Sequence, residues 1–300
     1  MTHEQSGEIK SAVRRQFGAT AERYLTSAIH AKGADLDLLP RIAGLTGSEE
    51  VLDVATATGH TALALAPHAR RVVGVDLTPE MLAVAREQAS RRGVPNAMFA
   101  VADAEALPFA DGSFDVVTCR IAAHHFPAVD RFCREAARVL RPGGRLVVVD
   151  NVAPEEPDLD RFINEVEKLR DPSHHRAYRL SEWKGFVEEA GLHFTVAHRF
   201  TSWVDREDWL ARANTPRRWP TRSARCWPGR RRPRGSASAS RQTGSYCTRR
   251  SWWDRSRKAG GDARCGTEDR SELNPARAEP GRRERVREVP GRRGPGRRRV

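Results

Sequence analysis

The chain has 300 residues, room for one large domain or two ordinary ones, and a formal net charge of +13 that by itself suggests a polyanionic partner. The charge is unevenly spread: residues 1–213 carry 26 basic and 31 acidic side chains, whereas residues 214–300 carry 26 and 8. An acidic domain followed by a basic tail rules out a uniformly basic nucleic-acid binder, and leaves nucleic acid as a partner only for the tail.

The N-terminus, MTHEQSGEIK, has no apolar signal core, and no apolar run approaches the ~20 residues of a bilayer span. No membrane is therefore expected. Five cysteines without CxxC spacing give neither a zinc site nor a disulfide framework, so a cytoplasmic protein is expected.

In chain order, short β-branched runs start at Val51, Val72, Met98, Asp115 and Leu146, each followed by room for one helix. Near-continuous runs of this kind suit strands covered on both faces. Thr78 with Pro79 predicts a helix start, and Arg91-Arg92-Gly93 its end. Apolar positions 129, 132, 133, 136, 137 and 140 predict a second helix stopped by RPGG at 141–144, and Ser181–Ala190 a third. Strand and helix in alternation predict a Rossmann-like, doubly wound parallel α/β sheet. The expected boundaries are a helical lid over 1–47, a ligand-binding core over 48–214 and a tail over 215–300.

In such a sheet, ligands bind at the carboxyl ends of the strands. Asp53 lies in the end of the first strand, with Gly59 where the next helix begins, while Asp76 and Asp103 end the second and third strands. A carboxylate after strand two can accept both hydroxyls of a ribose. The GxGxxG fingerprint of a dinucleotide site is absent, and Asp53 would repel a pyrophosphate, which disfavours a nucleotide-dependent oxidoreductase. A nucleoside carrying an ammonium group fits better, and S-adenosyl-L-methionine is such a molecule.

The ordered set VLDVATATGH, VVGVDLTPEMLAVAR, VADAEALPFADGSFDVVTCRIAAHHF and EAARVLRPGGRLVVVD resembles the class I S-adenosylmethionine-dependent methyltransferases. It is most similar to the small-molecule branch that includes the ubiquinone/menaquinone biosynthesis C-methyltransferases, over about residues 12–213. The resemblance implies that Asp53, Ala55, Thr56, Ala57 and Gly59 surround the methionine portion of the cofactor. It implies that Asp76 holds the ribose, that Leu77 and Met81 flank the adenine, that Asp103 and Ala104 meet its edge, and that Arg120 lies beside it. The stretch RRQFGATAERYLTSAIHAKG resembles the family's helical lid, which implies Tyr24 and His30 near the site. One departure stands out: Ala57 replaces a glycine of the family loop, adding a Cβ where backbone and ligand approach.

A methyl acceptor that carries a proton needs a base, and His124 and His125, after strand four, are the candidates by location. The [DN]PP[YF] signature of amide-nitrogen methylation is absent, so a small-molecule carbon or oxygen acceptor is expected. His174-His175 lacks a further ligand at a metal-binding spacing, and no metal is expected. A catalytically impaired protein acting through a nucleic-acid-binding tail is the alternative from a different class.

That tail holds only four large aliphatic residues, Leu273, Val286, Val289 and Val300, too few to offset ~1–2 kcal/mol of backbone entropy per residue. A disordered tail is the expectation. Its Arg-, Pro- and Gly-rich composition also fits GC-rich codons read out of frame. Starting from the third base of each codon, Ser245-Tyr246-Cys247-Thr248 must encode Leu/Ile/Val, Leu, then His/Tyr. In that frame Trp252-Trp253-Asp254 must encode Val/Leu/Met, Val, then Gly, so an apolar strand is hidden there. With the tail as written, the sheet is expected to stop at the fifth strand.

Overall fold

The computed structural model describes residues 3–18, 21, 33–204 and 246–253, with 201–204 and 246–253 as backbone only. Five parallel strands form the centre: β1 Glu50–Val54, β2 Arg71–Asp76, β3 Ala97–Val101, β4 Phe114–Arg120 and β5 Leu140–Val152. With β6 Val196–Val204 and β7 Tyr246–Trp253 the sheet order is β3-β2-β1-β4-β5-β7-β6, β7 running antiparallel to both neighbours. Strand order reverses about β1, whose neighbours are β2 and β4. The crevice of a doubly wound sheet opens at that reversal, above the carboxyl ends.

The helices are α1 His3–Gly18, α2 Ala34–Ile42, α3 His60–Leu65, α4 Pro79–Arg91, α5 Val129–Val139, α6 Pro157–Arg170 and α7 Leu180–Glu189. Alternation along β1 divides the core between the two faces of the sheet. Leu52 and Val54 join Phe132, Cys133 and Ala136 of α5 and Trp183 and Val187 of α7. Val51 joins Leu39 of α2, Leu65 of α3 and Val72 of β2. Cys119 and Cys133 are buried thiols within this core. Among the described residues no helix is long and apolar enough to cross a membrane.

Three sequence expectations need correction. Strand β3 is not covered on both faces: it is the edge strand, and Met98 and Val101 are 54% and 49% exposed. RPGG does stop α5, but the fifth strand begins before the expected Leu146: Leu140 already pairs with Phe114, and the ladder shifts register before Val116 meets Arg145. Gly144 allows this irregularity, since a Cβ there would lie 2.9 Å from the carbonyl oxygens of Arg141 and Asp115. Third, the sheet does not stop at β5. The backbone of 246–253 pairs with Val148–Val152 on one side and with residues 196–204 on the other. A backbone ladder asks little of side chains, so a basic segment can fill the slot that its composition argues against. This pairing counts against treating the whole of 215–300 as unable to join the fold. Residues 205–245 and 254–300 lie outside the described residues.

Candidate active site

The loop after β1 is shaped by three left-handed residues, Ala55 (φ 55°), Ala57 (φ 48°) and Gly59 (φ 84°). Gly59 opens α3, and a Cβ on it would come within 3.0 Å of the Ala85 side chain. The loop is tied to the end of β2: Thr56 N donates to the Val75 carbonyl (2.9 Å), and Ala57 N to Asp76 Oδ2 (2.9 Å). Asp76 Oδ1 accepts from Thr78 N (2.9 Å), so the carboxylate is oriented before any ligand arrives. Thr78, expected to cap α4 with its hydroxyl, makes no side-chain cap bond. Burial raises the Asp76 pKa against the opposing Thr78 and Ala57 amides.

Left-handed backbone costs a non-glycine residue about 1–2 kcal/mol. Glycine at Ala57 would release that strain, against ~0.5–1 kcal/mol of added unfolded-state entropy. Ala57→Gly is therefore expected to leave the melting temperature unchanged or slightly raised and cofactor affinity unchanged or tighter. A marked loss of binding in calorimetry would contradict this loop geometry.

Asp53 is 1% exposed beneath the loop. Thr118 Oγ1 donates to its Oδ1 (2.7 Å), while Oδ2 has no hydrogen-bond partner among the described residues. Burial raises its pKa to about 6, against the pull of nearby hydroxyls and the Arg120 charge. Arg120 is itself held by buried Asp35 of α2 (2.6 Å). At the end of β3, Asp103 Oδ1 accepts from Glu105 N (2.9 Å). Lys10 of α1 reaches over to both carboxylates, 2.6 Å from Asp103 Oδ2 and 2.6 Å from Glu105 Oε2.

After β4 the chain turns through Ile121, whose φ of 54° is unusual for a β-branched residue, while its N–H still donates to the Val149 carbonyl (2.6 Å). The two histidines that follow occupy different settings. His124 Nδ1 lies 2.6 Å from Asp150 Oδ1, and its N–H donates to Asp150 Oδ2 (3.0 Å). Although burial works the other way, the Asp150 charge and hydrogen bond raise the His124 pKa. His125 has its ring 5.0 Å from Phe17 in an edge-on contact, and its pKa is lowered to about 4 by burial and by the neighbouring His124 charge.

One cavity joins these parts. Ala55, Thr56 and Ala57 line it from the β1 loop, Asp76, Leu77 and Met81 from β2 and α4, and Asp103, Ala104, Arg120 and His125 from the ends of β3 and β4. Asp53, Gly59 and His124 are not on the lining and stand behind it. Tyr24 and His30 lie outside the described residues. Sequence reasoning missed Lys10, Val13 and Phe17, which line the cavity from α1, and also Glu105 and Ile121. Residues 10, 13 and 17 follow helical spacing on one face, a pattern readable in the sequence. Among the described residues, no group of three or more His, Cys, Asp or Glu could hold a metal ion.

Residues 52–148 match a family model described as a methyltransferase domain. An uncharacterized methyltransferase, YcgJ of Bacillus subtilis, is 42% identical over 200 residues, covering 67% of this chain and 79% of that protein. The chain belongs to the methyltransferase domain family. The crystal structure of a putative methyltransferase from Bacillus halodurans agrees with this methyltransferase at 41% identity and a TM-score of 0.64, over 76% of this chain and all of that one. A demethylmenaquinone methyltransferase from Thermus thermophilus is 42% identical over 144 residues, 46% of this chain and 65% of its own. The resemblance and the parallel α/β fold read from the sequence are thus borne out.

Proposed function

We propose that the protein transfers a methyl group from S-adenosyl-L-methionine to a small-molecule carbon or oxygen acceptor, with His125 as the base. The observation that supports this reading is one cavity lined by a pre-oriented Asp76 on one side and a neutral imidazole on the other.

The residues present fit the cofactor. Asp76 keeps spare lone pairs after serving two amides and would accept the ribose hydroxyls. Leu77 and Met81 offer an apolar flank for the adenine, with Asp103 and Ala104 at its edge. Asp53, its Oδ2 buried without a partner, supplies negative potential under the loop where a cationic amino-acid arm would lie. The cofactor supplies an electrophilic methyl group on a sulfonium, and in-line positioning then carries much of the rate. Phe17, Ile121 and Phe126 give the other side of the cavity an apolar wall. His125, neutral at pH 7, can take a proton from the acceptor atom.

Demethylmenaquinone, the acceptor type in the name of the Thermus relative, is the first compound to assay. With an accepted substrate, His125→Gln is expected to lower kcat by about 10²–10⁴-fold and to leave cofactor affinity unchanged. A variant with undiminished kcat would remove His125 from the chemistry.

A further inference from the structure

The segment between α6 and α7 folds back onto the turn that carries the two histidines. His175 N and Arg176 N both donate to the His124 carbonyl (2.9 Å each). Within this segment Asp171, 3% exposed, organises a tight turn. Its Oδ1 accepts from Ser173 N (2.9 Å) and from Ser173 Oγ (2.5 Å), and its carbonyl accepts from His174 N (2.9 Å). The turn places the Ser173 carbonyl 3.0 Å, and the Ser173 hydroxyl 3.3 Å, from Nδ1 of His125.

The chemistry of these two neighbours fixes the imidazole. A carbonyl only accepts, so Nδ1 must carry a proton to bond with it. The serine hydroxyl spends its proton on Asp171 and can likewise only accept from Nδ1. Both contacts select the Nδ1–H form and leave the lone pair on Nε2. That nitrogen has no hydrogen-bond partner among the described residues, and the ring lines the cavity.

We propose that Asp171 is a positioning residue for methyl transfer: through Ser173 it locks His125 in the Nδ1–H form, with the basic Nε2 free for the acceptor's proton. This rests on the reading of His125 as the base. When Nε2 takes the proton, the bond from the acceptor atom to hydrogen breaks and the imidazole becomes a cation. Its positive charge then lies between the Asp171 carboxylate and a buried set of neighbours. His124 and His174 stand 4.2 and 6.4 Å from it, ring to ring, and Asp150 lies beyond His124. The two carboxylates favour the cation, and a charged His124 opposes it, so removing Asp171 leaves the proton transfer less favourable.

The lock is visible without any substrate, by long-range ¹H–¹⁵N correlation of the imidazole nitrogens in the full chain at pH 7. Wild-type His125 is expected to show the Nδ1–H pattern, and Asp171→Ala a shift towards Nε2–H. Ser173→Ala, which keeps the carbonyl, is expected to retain the wild-type pattern. Asp171→Asn, which can still accept both Ser173 bonds, covers the case in which the alanine variant fails to fold. It is expected to keep the tautomer but lower kcat by at least 10-fold at unchanged KM. An Nε2–H pattern in the wild type would overturn the proposal, as would Asp171→Ala with an unchanged tautomer or Asp171→Asn at full kcat. The base reading fails separately: the wild-type pattern with fully active His125→Gln would mean that the lock exists but serves no proton transfer.

Discussion

Asp53→Asn is expected to make the ligand-free protein more stable at pH 7.5 and a poorer binder of S-adenosyl-L-methionine. In the folded chain burial raises the Asp53 pKa to about 6, from an ordinary 3.8. A carboxyl whose pKa is raised by folding binds its proton more tightly in the folded state, so its ionisation opposes folding. The cost is absent below about pH 4, grows as pH rises through the interval up to about 6, and is complete above it. At 1.36 kcal/mol per pKa unit the full cost is about 3 kcal/mol. The amide of asparagine carries none of it, and its oxygen can still accept from Thr118. For a domain of this size that energy corresponds to roughly 6–12 °C in melting temperature. Melts of both proteins at pH 5.0, 6.0 and 7.5 test this: the variant's advantage should widen with pH. Equal melting temperatures at pH 7.5 would mean that Asp53 is not ionised at a cost. A site residue that weakens the fold while serving a cationic ligand is a stability–function trade-off that single-site variants can reveal.

The second large effect concerns the tail. The slot filled by β7 lies inside the sheet, beside a strand whose Val147, Val148 and Val149 are no more than 1% exposed. Inner strands of such sheets read as near-continuous apolar runs. The chain as written gives this slot the sequence YCTRRSWW. Read from the third base, the same codons begin with Leu/Ile/Val-Leu and end with Val/Leu/Met-Val-Gly. A chain with residues 216–300 translated in that frame is expected to melt higher by at least ~5 °C. Two or three buried apolar side chains contribute about 1.5–3 kcal/mol each, and each kcal/mol is worth about 2–4 °C here. Amide hydrogen exchange adds a local measure, with stronger protection expected at 246–253 in the restored chain. A restored chain no more stable than the chain as written would remove support for the shifted frame and leave β7, as written, the native element.

Most of the sheet is legible in the sequence because its strands are β-branched runs separated by helices with recognisable starts and stops. Strand β3 deceived because an edge strand can keep apolar residues on an open face. Position along the sheet is set by pairing partners that lie far away in sequence. The early start of β5 was hidden for a related reason: the extra residues of its irregularity, 141–144, sit on β5 between the pairings of Leu140 with Phe114 and of Arg145 with Val116, and only the partner strand reveals that pairing. At the site, residues that end strands were readable, since the topology alone carries Asp76, Asp103 and Arg120 to one edge. The division of labour between His124 and His125 was not. It depends on Asp150 and on the turn at Asp171–Ser173, 26 and 48 residues from the histidines they hold. Lys10 and Val13 escape the sequence reading because the lid motif covers residues 14–33 and they lie on the turns of α1 before it.

Titration calorimetry of S-adenosyl-L-methionine into the wild-type protein and Asp76→Ala tests the central claim most directly. The wild type is expected to bind with a Kd in the micromolar range. Loss of the charged acceptor for two ribose hydroxyls, each bond worth about 1.5–3 kcal/mol, is expected to weaken binding in the variant by at least 100-fold. No heat of binding to the folded wild type at millimolar cofactor, or equal affinity in the two proteins, would contradict the assignment of this cavity to the methyl donor.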